Sequence, residues 1–92
     1  MTYLIRYWIE FEPTQDLFAV GLQLGCGVTA YDYDDALKLI KDKIFKDNKL
    51  PKVIRRIDNI NINDLDSGHV RPNIWTPSFR GIWYPASYHD NY

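Results

Sequence analysis

The residues best suited to chemistry in this chain are His69, Arg71, Arg80 and Tyr84, which cluster in SGHVRPNIWTPSFRGIWYP, Ser67 to Pro85. Histidine moves protons near neutral pH, and arginine holds phosphate charge through paired N–H groups. With a tyrosine hydroxyl beside them, they have the chemistry of a small metal-independent ribonuclease or a nucleotide-directed transferase. The same stretch supports a second reading. Arg71, Trp75, Arg80, Trp83 and Tyr84 are residue types that dominate the energetics of protein interfaces, because they desolvate large areas and keep directional polar groups. Pro72, Pro77 and Pro85 stiffen the segment and lower the entropy lost on binding. A third reading is structural: Trp75, Phe79 and Trp83 plug one face of a sheet, landing on Leu4 and Trp8.

Other constellations carry less. Asp64, Asp66 and His69 are metal-ligand types, but no EF-hand spacing surrounds them, and a chain whose only histidines are His69 and His89 builds no three-histidine site. Gly21, Gly25 and Gly27 stand ahead of a helix, yet four residues follow Gly27 before its cap and no P-loop lysine does, so a turn or bulge accounts for them. Cys26 has no histidine near it in sequence. Asp16, Asp32, Asp34 and Asp35 offer carboxylate pairs, of which capping explains the last three. No metal and no cofactor is expected.

Charge narrows the partners. The net charge of -1 argues against nucleic acid, but the distribution is uneven. Residues 1–37 set Arg6 against Glu10, Glu12, Asp16, Asp32, Asp34 and Asp35, a balance of -5. Residues 38–57 carry six lysines, Arg55 and Arg56 against Asp42 and Asp47, a balance of +6. A solvated helix face is the plain account of the lysines, and attraction of a charged partner is the functional one. Cys26 is the only cysteine, which rules out an internal disulfide and suits a reducing compartment. Arg6 and Glu10 interrupt the first apolar run before it reaches signal-peptide length, and no stretch reaches the roughly 20 apolar residues of a membrane span. A cytoplasmic protein is therefore expected.

The elements that must position these residues follow from periodicity. Tyr3, Ile5, Tyr7, Ile9 and Phe11 alternate with Leu4, Arg6, Trp8 and Glu10, which predicts a long first strand. EPTQD, Glu12 to Asp16, reads as a turn, and LFAVGLQL, with Phe18, Val20, Leu22 and Leu24 on one face, as a second strand paired in a hairpin. Asp32 is a good N-cap, Asp34 and Asp35 suit the positive end of a helix, and Tyr33, Ala36, Leu37, Ile40 and Ile44 form its apolar stripe. Asn48 and Pro51 end that helix. Val53–Asp58 predicts a third strand, extended toward Ile60 and Ile62, and Phe79–Tyr84 a short last one.

The aromatic share of 15% lets one small core form without staples. The expectation is an α+β fold over residues 1–92. It comprises a ββαβ core over 1–66, one amphipathic helix on a mainly antiparallel sheet, and an aromatic C-terminal extension over 67–92. The leading functional expectation is a non-enzymatic domain that occludes or recruits one protein partner through Arg71, Trp75, Arg80, Trp83 and Tyr84. Its most concrete form is a bacterial inhibitor of the immunity-protein or antitoxin kind, by analogy of role. The alternative is the small enzyme using His69, Arg71, Arg80 and Tyr84, and a homodimer through the aromatic segment competes with both.

Overall fold

A sheet in which nearly every inward residue is apolar on both faces must be covered on both, and this chain is built that way. The computed structural model describes residues 3–46 and 49–88, apart from the side chain of Asp16. Asp47, Asn48, His89 and Tyr92 fall outside it. Four antiparallel strands run in the spatial order β3-β1-β2-β4. They are β1 (Ile5–Phe11), β2 (Cys26–Ala30), β3 (Val53–Asp58) and β4 (Gly81–Tyr84). A short helix α1 (Gln15–Ala19) precedes β2, and α2 (Tyr33–Ile40) follows it. The α+β class and the single domain are as expected from the sequence.

The first strand lies at the centre, paired with β2 and β3. Tyr7, Ile9 and Phe11 point to the helix layer, where they meet Cys26, Val28, Ala30, Leu17, Leu22, Ala36 and Ile40. The helix begins as predicted. Asp32 accepts the Asp35 backbone N–H at 2.8 Å, with Asp34 and Asp35 in the first turn. Beyond Ile40 the winding loosens into a π-helical turn, Lys41–Phe45, and stops at Lys46, whose φ is +53°. The wider turn buries the consecutive residues Ile44 and Phe45, and Phe45 meets Phe11 edge to face at 6.0 Å.

Two elements differ from the sequence expectation. LFAVGLQL is not a strand. The Thr14 hydroxyl accepts the Leu17 N–H at 3.1 Å and starts a helical turn, which sends Leu17 and Leu22 into the core while Phe18 and Leu24 stay exposed. The second strand is instead CGVTA, and all five of its residues are buried. Its small residues and flanking glycines hide it, since a strand covered on both faces shows no alternation. Likewise β3 does not extend to Ile62, because Asn61 caps a 3-10 turn over Ile62–Asp64 through its side chain.

The second sheet face is closed by the chain between Asn59 and Trp75. Ile60, Leu65 and Val70 pack there with Trp8, Trp83 and Tyr84, and Ile57, Ile74 and Trp75 lie at the margin. So the C-terminal region is not an appendage to a finished core, because it supplies β4. A bulge makes this possible. Gly27 pairs with Tyr84 and Val28 with Ile82, leaving Trp83 without a partner residue of its own. Trp83 and Tyr84 therefore share the Trp8 face, while Ile82 faces the helices.

The Trp83 ring lies directly over Gly27. A Cβ at that position would sit 2.4 Å from Cζ3 and 2.5 Å from Cη2, closer than packed atoms tolerate. We therefore expect Gly27→Ala to cost about 1–3 kcal/mol through overpacking, whereas Gly68→Ala, whose nearest neighbour atom is 3.9 Å away, changes stability by less than about 0.5 kcal/mol. Urea denaturation of both variants checks this, and equal midpoints would show that the sheet yields at Gly27.

Candidate functional site

The chemistry-bearing residues are held by two different carboxylates, Asp66 and Asp35. His69 is on the surface in a tight turn, its side chain 80% exposed. The Asp66 carboxylate accepts its backbone N–H at 2.7 Å and lies 2.9 Å from its Nδ1. Those contacts hold the Asp66 carboxyl below its ordinary range, the backbone hydrogen bond being the larger cause. Arg71 is exposed at the start of the 3-10 turn Arg71–Asn73, with its backbone N–H bonded to the Asp66 carbonyl. Tyr84 is inside the fold against Trp8, at 5.4 Å between ring centroids, and burial raises its pKa.

Arg80 belongs elsewhere. Its Nε donates to Asp35 at 2.9 Å and its Nη2 to the other oxygen of the same carboxylate, across 45 residues of sequence. Such a two-pronged pair fixes the guanidinium plane as well as its charge. The ring of Tyr31 lies 5.1 Å from the Arg80 carbon, and Asp35 also accepts the Tyr31 backbone N–H at 3.0 Å. One carboxylate at the head of α2 thus holds Tyr31 and Arg80 together. Beside them Phe79 packs on Trp75 at 5.8 Å while remaining 62% exposed, and Tyr31 is 51% exposed.

Of the five expected partner-binding residues, then, Trp75 and Arg80 stand at this surface and Arg71 on a different turn. Trp83 and Tyr84 are core residues, 0% and 6% exposed, and present almost nothing to a partner. Phe79, expected as a plug, is instead largely exposed. The sequence assigns Asp35 to the first turn of a helix and gives Tyr31 no role, because a contact spanning 45 residues leaves no local signal. The covering of Trp8 by the C-terminal segment is as the structural reading anticipated, but it is made by Trp83 and Tyr84. Leu4 remains 40% exposed.

The enzyme set does not gather. His69 and Arg71 are anchored to Asp66, whose charge also acts on the buried Tyr84, whereas Arg80 is held by Asp35. Among the described residues no three metal-ligating side chains converge. Cys26 is completely buried, and burial pushes its thiol far above the ordinary range, so it is no nucleophile in the folded state. In the basic run, Arg55 pairs with Glu10, and Arg56 forms two hydrogen bonds to Asp58 while lying 3.9 Å over the Tyr33 ring. Both arginines are already engaged within the fold.

Comparison with known proteins adds no assignment: no family model, curated protein or solved structure matches this chain. No helix among the described residues is long and apolar enough to cross a membrane.

The Arg80 hydrogen bonds hold the Asp35 carboxyl below its ordinary value of 3.8. Its contribution to stability is therefore complete above that pH and is lost as pH falls through the lower folded-state value. Because the Arg80 side chain is 41% exposed, we expect Asp35→Asn to cost only about 1 kcal/mol at neutral pH. The variant should also show a shallower loss of stability below pH 3.8, with Asp58 and Asp66, lowered in the same direction, accounting for what remains. Chemical denaturation between acid and neutral pH measures both effects, and an unchanged acid limb would mean that the pair is not formed in solution.

Proposed function

We propose that this chain is a recognition domain that engages one protein partner through the surface formed by Tyr31, Trp75, Phe79 and Arg80. The observation that carries the reading is Phe79, a large ring held outward on Trp75 beside an arginine whose orientation is fixed by Asp35. Leaving a ring of that size in water forfeits apolar burial, roughly 1.5–3 kcal/mol for a full side chain. A rigid aromatic next to a pre-positioned guanidinium offers a partner both desolvation and direction at small entropic cost. A single isolated ring would be ordinary on any surface. Here Tyr31 lies beside the Arg80–Asp35 pair, and Phe79, on Trp75, is the residue next to Arg80 in the chain.

Occlusion of a partner's site is the most concrete form of that role, so an inhibitor of the immunity-protein or antitoxin kind remains the working version. A cytoplasmic setting belongs to the same proposal, in keeping with a lone thiol buried in the core. The enzyme alternative using His69, Arg71, Arg80 and Tyr84 has less support, since Asp35 holds Arg80 away from the Asp66 turn and Tyr84 is buried.

The test uses the whole chain as bait against lysate of its native host, beside a Tyr31→Ala, Phe79→Ala double variant. Both side chains are largely exposed, so circular dichroism and the thermal midpoint should show that the variant folds. We expect one stoichiometric protein on the wild type and its loss from the variant, since truncating hot-spot residues costs roughly 2 kcal/mol or more, about thirtyfold in Kd. Undiminished capture by the folded variant would remove the surface from consideration. Retention of RNA alone by the wild type would favour the enzyme.

A further inference from the structure

On the sheet face opposite the helices, a cleft of about 370 Å³ opens between β1, β3 and the segment that covers them. Its apolar walls are Trp8, Ile57, Ile60, Leu65 and Val70, members and margins of the second core cluster. That volume is in the range of pockets that take small molecules, and apolar walls with a few convergent polar groups are their usual construction.

The polar groups have one dominant sign. Glu10, Asp64 and Asp66 all border the cleft, against Arg55 as its single basic side chain. Glu10 is fixed there because its Oε2 accepts from the Trp8 indole Nε1 at 2.9 Å and from Arg55 at 3.2 Å. Arg55 is thereby held by a carboxylate it already neutralises. Asp66 is oriented by the His69 backbone. The Asp64 side chain has no hydrogen-bond or ion-pair partner among the described residues, although it sits at the rim of an apolar cavity. Carboxylates facing an apolar concavity repel anions, and they attract a cation more strongly than the same groups would in open water. A bare metal ion fits poorly, since among the described residues no three ligating side chains converge and the rest of the wall is apolar.

We propose that this cleft is a binding site for a small organic cation, an amidinium or ammonium group carried on an apolar ring or chain. The apolar body is buried against Trp8, Ile57 and Val70, and the charged head meets Asp64 and the free oxygen of Glu10. Neither the residues nor the ligand are those of the Tyr31–Phe79 surface, so the site stands independently of the partner reading.

The probe is benzamidine, with benzoate as the control of matching shape and opposite charge. Both are titrated into the full ¹⁵N-labelled chain, and the reporter is the Trp8 indole N–H, which is bonded to Glu10 at the cleft. Benzamidine should shift that resonance and the backbone signals of Leu65 and Val70 along one saturating curve, with a Kd of about a millimolar or tighter as befits a ligand of that size. Benzoate should bind at least about tenfold more weakly, because it meets the carboxylates with the same sign. Asp64→Asn should weaken benzamidine several-fold. Asp34→Asn, an exposed carboxylate on the helix layer, should leave the titration unchanged. Equal binding of benzoate, or an unmoved Trp8 indole up to about 20 mM benzamidine, would overturn the proposal. So would an Asp64→Asn variant that folds and binds as the wild type does.

Discussion

The packing of Trp83 over Gly27 is the constraint on which the rest of this structure depends. Four short strands leave a sheet with buried apolar residues on both faces, and a chain of this length has only one substantial helix to cover one of them. The other face needs large side chains that arrive without a helix. Trp8, Trp83 and Tyr84 fill that role, and two glycines on β2 and its approach make room for them. A Cβ at Gly25 would meet the Trp8 ring at 2.5 Å, as one at Gly27 would meet Trp83. Two tryptophans stacked on glycine backbone form a dense second layer from few residues.

That layer explains why the covering segment has so little regular structure. From Asn59 to Trp75 the chain makes two 3-10 turns and a tight turn, each satisfied locally by Asn61, Asp66 or Asn73. Ile60, Leu65 and Val70 are spaced at five-residue intervals and all point inward. The turns place an apolar residue on the sheet at each interval and leave polar residues between them at the surface. A cleft persists where this irregular cover does not close over β1 and β3. The packing has a cost: Trp83 gives up its indole hydrogen bond, the one buried side-chain polar atom without a partner among those described. An unpaired buried donor costs roughly 1–3 kcal/mol, and burial of so large a ring more than offsets that.

Bulges decide what faces outward. At β4 the extra residue Trp83 breaks the alternation, so that Tyr84 joins Trp8 instead of Ile82. At β3 the pairing skips Ile54, which is left 56% exposed while Val53 packs against the helix-side core and Arg55 faces Glu10. With β4 placed, Arg80 just before it is carried to the head of α2, where Asp35 receives it, and Phe79 packs outward on Trp75. The outward aromatic surface is in this sense a consequence of how the second face is closed.

Much of the fold was legible from local pattern alone. The period of two in Tyr3–Phe11, the Asp32 cap with its acidic first turn, and the apolar residues of Val53–Asp58 each have a physical cause within a few residues, and each element formed where that cause stood. The aromatic C-terminal stretch was legible as important, because so many rings in so few residues must be buried or presented. Which ring does which was decided only in three dimensions. Trp83 is core and Phe79 is surface because of one bulged pairing and one glycine on a strand more than fifty residues away. The second strand was hidden for the same reason: CGVTA draws its burial from both layers, and neither layer is near it in sequence. Local propensity is written in neighbouring residues, whereas the division of apolar side chains between core and surface depends on contacts that only the closed sheet brings together.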